Sequence, residues 1–234
     1  MMNQMTDIRC GTMWWFRAMM LTLLFACAAP SQATESIATA NIVQGKASVE
    51  SPGAAPRTLA AGMSLQVGDR ITTGPDGLVR LMFTDKTMTV LGTSTEMTLT
   101  RYSLQQDDPS FVVRITRGVF RIVTGAIGRS RPQAVQIQAP VATIGIRGTH
   151  FAGEVGDSQL VVVLLDPEDS AAANAIEVRN DFGAVSIDRP GYGTEVPDAK
   201  SPPSPPRQMR IRAVDNLLRS LSTIQRMQVP RPPR

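Results

Sequence analysis

From residue 37 to 196 the chain breaks into short runs of alternating apolar and polar residues. Each run is cut off by glycine, proline, aspartate or asparagine. This punctuation limits the fold more than any other feature. "LVRLMF" (78–83) sets Val79, Leu81 and Phe83 on one side and Arg80 and Met82 on the other, the period of a half-buried strand. "IATANIVQGKASVE" (37–50) has strand character with Gly45 as a break, and "SPGAAP" (51–56) is a turn cluster. "TMTVLG" (87–92) and "EMTLTRY" (96–102) follow closely. "SFVVRITRG" (110–118) puts Phe111, Val113 and Ile115 on one face, and "VFRIV" (119–123) starts directly after Gly118. "AVQIQA" (134–139) sets Val135 and Ile137 against Gln136 and Gln138. "LVVVLL" (160–165) is apolar throughout and predicts a strand buried on both faces. "AIEVRN" (175–180) and "AVSID" (184–188) close the series around "DFG". Strands every ~8–12 residues with turns between them indicate a sandwich, barrel or solenoid. No strict repeat length selects among the three.

The leader is set apart from this pattern. Arg9 and Arg17 precede the apolar run "AMMLTLLFACAA" (18–29), and Ser31 and Ala33 stand at the −3 and −1 positions of a cleavage site. These features predict a signal peptide over 1–33 and export to the periplasm or beyond. The run is shorter than the ~20 residues a membrane-spanning helix needs. Both cysteines, Cys10 and Cys27, lie in this leader, so cleavage after Ala33 leaves no thiol, and neither disulfides nor cysteine-held metals are expected. "LFAC" (24–27) resembles a lipoprotein box, which makes anchoring at Cys27 the alternative. Phe25 is bulky for that box, and a soluble product is favoured.

Charge divides the remainder. Residues 34–206 carry 15 basic and 18 acidic side chains, whereas the tail from 207 carries seven arginines against Asp215 alone. A nucleic-acid footprint over the whole domain is therefore not expected. Aromatics make up only 5 % of the chain, which leaves the core to Val, Ile, Leu, Met and Ala. "PDAKSPPSPP" (197–206) reads as an extended proline-rich linker. Beyond it, Ile211, Val214, Leu217, Leu218, Leu221 and Ile224 form an apolar helical stripe among arginines. Such a helix docks on its own domain, or touches an anionic membrane surface or a partner through Arg210, Arg212, Arg219 and Arg226. The expected organisation is a leader (1–33), a β domain (34–196), a linker (197–206) and a basic amphipathic helical tail (207–234).

Catalytic sets are scarce. With one histidine and no mature cysteine, a His-rich zinc site or a Cys–His pair cannot be built. A serine triad would have to use His150, and no G-x-S-x-G elbow presents a serine. "VQGKAS" (43–48) lacks the first glycine of a P-loop. Asp107-Asp108 and "DPED" (166–169) read as turns. Calcium at 166–169 is the alternative, with a spacing that fits no known loop. Neither a cofactor nor a metal is expected.

His150 sits in "APVATIGIRGTHF" (139–151). If 141–151 is one regular strand, Thr143, Gly145, Arg147, Thr149 and Phe151 share a face, and Ile144, Ile146, Gly148 and His150 the other. His150 then reads as a packed or rim residue. Gly145 and Gly148 would allow a bulge or close backbone approach. Arg147, with five donors in a fixed fork, would pin neighbouring carbonyls, a ligand carboxylate being the sharper alternative.

The ordered combination of these stretches resembles the FecR domain family. "LAAGMSLQVGDRITTGPDGLVRLMFTDKTMTVLGTSTEMTL" (59–99) resembles its first half, with Gly68-Asp69, a Thr73-Gly74 turn, the strand Val79 to Phe83 and the turn Asp85-Lys86-Thr87. Lys86 stands where that family commonly has glycine. "RGVFRI" (117–122) resembles the strand that follows, and 139–151 its Pro-x-Ala strand running into Arg147-Gly148-Thr149-x-Phe151. "VRNDFGAVSIDRPGYGTEV" (178–196) resembles the closing hairpin. The resemblance implies an all-β, solenoid-like or roll-like stack of short strands outside the cytoplasm, with a β-sandwich as the alternative. Founding members of the family pass an iron-transport signal to a cytoplasmic sigma factor, using an N-terminal anti-sigma segment and a membrane span. The chain is expected to lack both, its β domain following the leader directly. What transfers is an envelope interaction or sensory module with a protein or glycan partner. The alternatives are a structural or assembly protein tethered by its tail, and a hydrolase using His150.

Overall fold

The computed structural model of the chain describes residues 35–147, 150–166 and 175–219. The expected leader, its cysteines and its cleavage site lie outside these residues. So do Gly148, Thr149, Arg226, most of "DPED" and the tail beyond 219. The path is a succession of strands that bend from a front layer into a back layer and return. β1 (Ala38–Gln44) is in front and, past Gly45, β2 (Ala47–Glu50) is at the back. Gly45 has φ +63, the left-handed conformation that spares glycine a Cβ clash. The short β3 (Arg57–Thr58) and β4 (Ser64–Leu65) line the edges. β5 (Arg70–Thr73) at the back leads to β6 (Leu78–Phe83) in front, and β7 (Met88–Leu91) in front leads to β8 (Glu96–Ser103) at the back. β9 (Ser110–Val123) belongs to both layers. After a one-turn helix α1 (Ala126–Ser130) and a 3-10 turn (Pro132–Ala134), β10 (Val135–Gln138) and β11 (Thr143–Arg147) lie at the back and β12 (His150–Val155) in front. β13 (Leu160–Leu164) is in front, β14 (Ala175–Asn180) and β15 (Gly183–Ile187) are behind, and β16 (Tyr192–Val196) and β17 (Arg207–Gln208) are in front.

The front order is β4–β1–β6–β7–β9–β12–β13–β16–β17. The back order is β3–β2–β5–β8–β9–β10–β11–β14–β15. All pairings are antiparallel except β9 with β10. Because β9 is shared, this is one continuous open sheet folded over on itself. The roll-like all-β stack is what forms. A barrel, one of the options the strand spacing left open, does not: each layer ends in an edge strand.

The inner faces meet in a single core that includes Val49, Ile71, Leu81, Met97, Phe120, Ile144, Phe151, Val162 and Val178. Val79, Leu81 and Phe83 point into it, as their alternation predicts. β9 shows how a strand serves both layers. Phe111, Val113 and Ile115 are inward before Gly118, and Phe120 and Ile122 after it. The odd-to-even change falls at a glycine with φ +97.

A second apolar cluster covers the outer side of the front layer. Ile42, Leu78, Val90, Val119, Ala152 and Val163 meet Ile211, just ahead of the helix α2 described over 212–219, and Val214 and Leu217 on that helix. This explains why β13 is apolar on both faces: Val162 fills the main core while Val163 lies beneath the helix. The proline-rich stretch runs along β16. Ser204 donates its N–H to the Glu195 carbonyl at 2.9 Å, and its Oγ accepts from Glu195 N–H at 3.0 Å. Prolines have no N–H to leave unpaired, so they suit the sheet edge they cover.

Candidate functional site

The motif residues gather where strands turn, and most of their polar atoms are spent on backbone. Gly68 has φ +93. It sends the chain into Asp69, which is fully buried. Asp69 Oδ2 accepts from Gln66 N–H at 2.9 Å, and Oδ1 accepts from Ser51 Oγ at 2.6 Å. The Asp69 carbonyl accepts from Leu99 N–H, and Gly68 N–H donates to the Leu99 carbonyl. One carboxylate thus closes its own turn and ties it to the loop after β2.

The Thr73-Gly74 pair forms the bend between β5 and β6. Thr73 Oγ1 donates to the Gly92 carbonyl at 2.5 Å and accepts from Thr95 N–H at 2.8 Å. Thr95 repeats the device one strand further on: its Oγ1 donates to the Val119 carbonyl and accepts from Val119 N–H, each at 3.0 Å. Gly74 donates to the Lys46 carbonyl at 2.8 Å. Threonine hydroxyls, able to donate and accept at once, therefore stitch together adjacent bends where the regular ladder is interrupted.

The turn Asp85-Lys86-Thr87 does more than its sequence suggests. Asp85 is buried and accepts from Thr87 N–H at 3.0 Å, Thr87 Oγ1 at 2.8 Å and Ile127 N–H at 3.3 Å. It fastens α1 across the end of the core. Beside it Tyr102 packs with Phe83 and Phe111, ring centroids 5.8 and 6.2 Å away. The Tyr102 hydroxyl accepts from Asp85 N–H at 2.8 Å and bonds the Thr84 hydroxyl at 2.7 Å. Burial pushes the Tyr102 phenol above its ordinary value, while the Thr84 bond acts in the opposite direction. Lys86 occupies this turn with φ +69. A side chain in that conformation costs ~1–2 kcal/mol, whereas glycine loses ~0.5–1 kcal/mol of backbone freedom. Lys86→Gly is therefore expected to stabilise the domain by about 0.5–1 kcal/mol, read as a higher urea midpoint with unchanged slope. A lower midpoint would refute the strain.

The stretch 139–151 is not one strand. β11 and β12 lie in different layers, so Phe151 points into the same core as Ile144 and Ile146, not away from them. The face assignment made for a single strand is overturned because the inward side changes when the chain changes layer. Gly145 stays in regular register with Gln136 and Glu177. A Cβ there would meet nothing nearer than the Glu177 carbonyl at 3.9 Å, so neither a bulge nor close approach calls for this glycine. Arg147 ends β11 opposite Ala175.

His150 faces outward on β12, half-buried, with both ring nitrogens engaged. Nε2 accepts from the Nε–H of buried Arg121 at 2.6 Å, and Nδ1 lies 2.6 Å from the Asp166 carbonyl. That pairing places the proton on Nδ1. The ring bridges β9, β12 and the residues after β13, and has no nitrogen left to act as a base. This removes the geometric support for a hydrolase built on His150. Among the described residues no group of three His, Cys, Asp or Glu side chains is placed to hold a metal. Nor, among them, is any helix long and apolar enough to cross a membrane. Arg210, Arg212 and Arg219 are exposed around the docked helix α2. Sequence alone gives Thr95 and Arg121 no role and ties Asp85 only to its own turn. Their residue types are ordinary in strands and turns, and only their partners, 24 to 42 positions away, give them a role.

Residues 69–167 match the family described as FecR protein. Two crystal structures of a protein from Parabacteroides distasonis ATCC 8503, provisionally described as an anti-sigma factor, are similar in fold. Each is 14 % identical, with TM-scores of 0.49 and 0.50. The likeness covers 64 % of this chain and 63 % and 64 % of those chains, under two thirds of their length. At that identity it is a likeness of fold alone. No curated protein sequence matches the chain. The stretch that matches the FecR protein family, residues 69–167, contains the Thr73-Gly74 bend and most of the strand pair split between layers at 143–155, so this part of the chain is similar to a FecR domain.

Proposed function

We propose that this chain is an exported, non-catalytic interaction or sensory module of the cell envelope, acting in the periplasm on a protein or glycan partner. The observation that carries the reading is the use made of the motif side chains. Asp69, Thr73, Asp85, Thr87 and Thr95 are buried and hydrogen-bonded within the bends, which leaves the outer sheet faces and the tail as the surfaces that meet a partner. The likeness to a FecR domain supports a signalling role, and the partner is to be sought outside the cytoplasm.

A tethering role for the tail is the second reading. Exposed Arg210 and Arg212 favour it, while Ile211, Val214 and Leu217 are already buried against the domain and would have to leave it to enter a membrane. The test is photo-crosslinking in intact cells from exposed positions of either layer, with and without residues 209–234. A defined partner captured in the periplasmic fraction is the expected result. Recovery of the whole chain, leader included, from the cytoplasm would refute the export reading. Capture lost only when the tail is removed would transfer the contact from the sheet to the tail.

A further inference from the structure

The outer face of the back layer holds a groove of about 410 Å³ across β8, β9 and β10, next to the 3-10 turn. Its size lies toward the low end of small-ligand clefts, which span about 300–1,000 Å³. Its lining is unusual for such a cleft. Thr100, Arg101, Ser110, Gln133, Gln136 and Gln138 supply hydroxyls, carboxamides and a guanidinium, and no aromatic ring contributes.

Two features show that the lining is arranged. First, β8 carries a bulge: its register with β9 moves from Leu99–Val113 to Arg101–Val112, leaving Thr100 as the extra residue. Leu99 and Tyr102 both remain on the core side, so Thr100 and Arg101 both face the groove. Second, Ser110 is only 5 % exposed, and its Oγ has no hydrogen-bond partner among the described residues. A buried hydroxyl left in that state costs stability, which a ligand oxygen or amide would recover.

The chemistry narrows the ligand. Arg101, the cation in the lining, is paired with Asp108, which also lines the groove, so the lining carries no net charge to draw an ionic ligand; Arg114 lies outside the lining and donates to Gln138 Oε1 at 3.2 Å. At the groove β8 is paired with β9 and β9 with β10, so no peptide strand can insert between them; β8 is paired with β5 only over 96–98, and its remaining edge lies on the side away from β9 and β10. What remains are groups able to donate and accept together: the carboxamides of Gln133 and Gln136 and the hydroxyls of Thr100 and Ser110, with the Gln138 amide N–H beside them. They match the vicinal hydroxyls of a neutral sugar. We propose that this groove is a saccharide-binding site that takes an uncharged glycan segment, with Gln136 and Ser110 as its central contacts. The proposal rests on the envelope-module reading for the class of partner only.

The test is NMR titration of the isotope-labelled full chain with chitotetraose, cellotetraose and maltotetraose. At least one is expected to shift the amides of Thr100, Arg101, Ser110 and Gln136. Gln136→Ala should weaken that binding at least tenfold, while Arg210→Ala leaves it unchanged. Ser110→Ala should weaken it severalfold without lowering the melting temperature, a combination a merely structural serine would not give. No shift with any of the sugars at their solubility limits overturns the proposal. So does a set of shifts on the front layer, or a glutamine-rich peptide that shifts the same residues when the sugars do not. Failure here together with a captured periplasmic protein leaves the module reading standing and removes the groove. Sugar binding by a chain found in the cytoplasm does the reverse.

Discussion

Gly118→Ala is expected to cost ~3–6 kcal/mol, a large share of the ~5–15 kcal/mol that holds a domain folded. Two penalties combine. The residue has φ +97 in the middle of a 14-residue strand, a conformation that costs a side chain ~1–2 kcal/mol. A Cβ there would also lie well inside contact with Thr95 Cα and 2.7 Å from Thr95 Cβ. Thr95 cannot yield, because it is fully buried and its hydroxyl is bonded to both backbone groups of Val119. Overpacking of that kind adds ~1–3 kcal/mol, and breaking the Thr95 pair about 1 kcal/mol more. Gly53→Ala supplies the control. Its φ is +74, but nothing lies within 4 Å of the added Cβ, so only the conformational penalty of ~1–2 kcal/mol is expected. Urea denaturation of both variants measures the difference. Equal losses would show that the bend tolerates a side chain and that β9 is not pinned at Gly118.

The second large effect is expected at Asp69. Asp69→Ala removes the acceptor of Gln66 N–H and of the Ser51 hydroxyl from a fully buried position. Bonds to a charged group contribute ~1.5–3 kcal/mol each, and the stranded donor adds a desolvation cost, so a loss of at least ~3 kcal/mol is expected. Asp69→Asn keeps one oxygen for Gln66 N–H, and the Ser51 hydroxyl can turn to accept from the new amide. It should recover at least half of the loss. Thermal denaturation of the two variants decides the matter. If alanine and asparagine are equally damaging, the charge matters and the hydrogen-bond count does not. If both are harmless, the turn is not held by this carboxylate.

Much of the fold is legible in the residues because strand alternation is a local signal. Val79, Leu81 and Phe83 needed only a period of two to be assigned inward. Gly118 marked a break, and the change of apolar phase across it, from Phe111, Val113 and Ile115 to Phe120 and Ile122, was already written in the chain. The bends at Gly68-Asp69 and Thr73-Gly74 were legible for the same reason, since turn chemistry acts within a few residues. The groove was not legible. Its glutamines read as the polar side of a strand, and the bulge at Thr100 shows only in the register between β8 and β9.

The sequence by itself determined where strands run and stop, which side of each is apolar, and that the core is aliphatic. These follow from backbone periodicity and from glycine and proline stereochemistry, which need no distant partner. Only the tertiary structure decided which layer each strand joins, and so that Phe151 shares a core with Ile144 and Ile146, that His150 is bound on both nitrogens, and that the tail stripe seals Val90, Val119 and Val163. Each of these depends on residues tens of positions apart meeting across a bend. A bend converts a one-residue phase into an inside or an outside only once the opposite layer is in place.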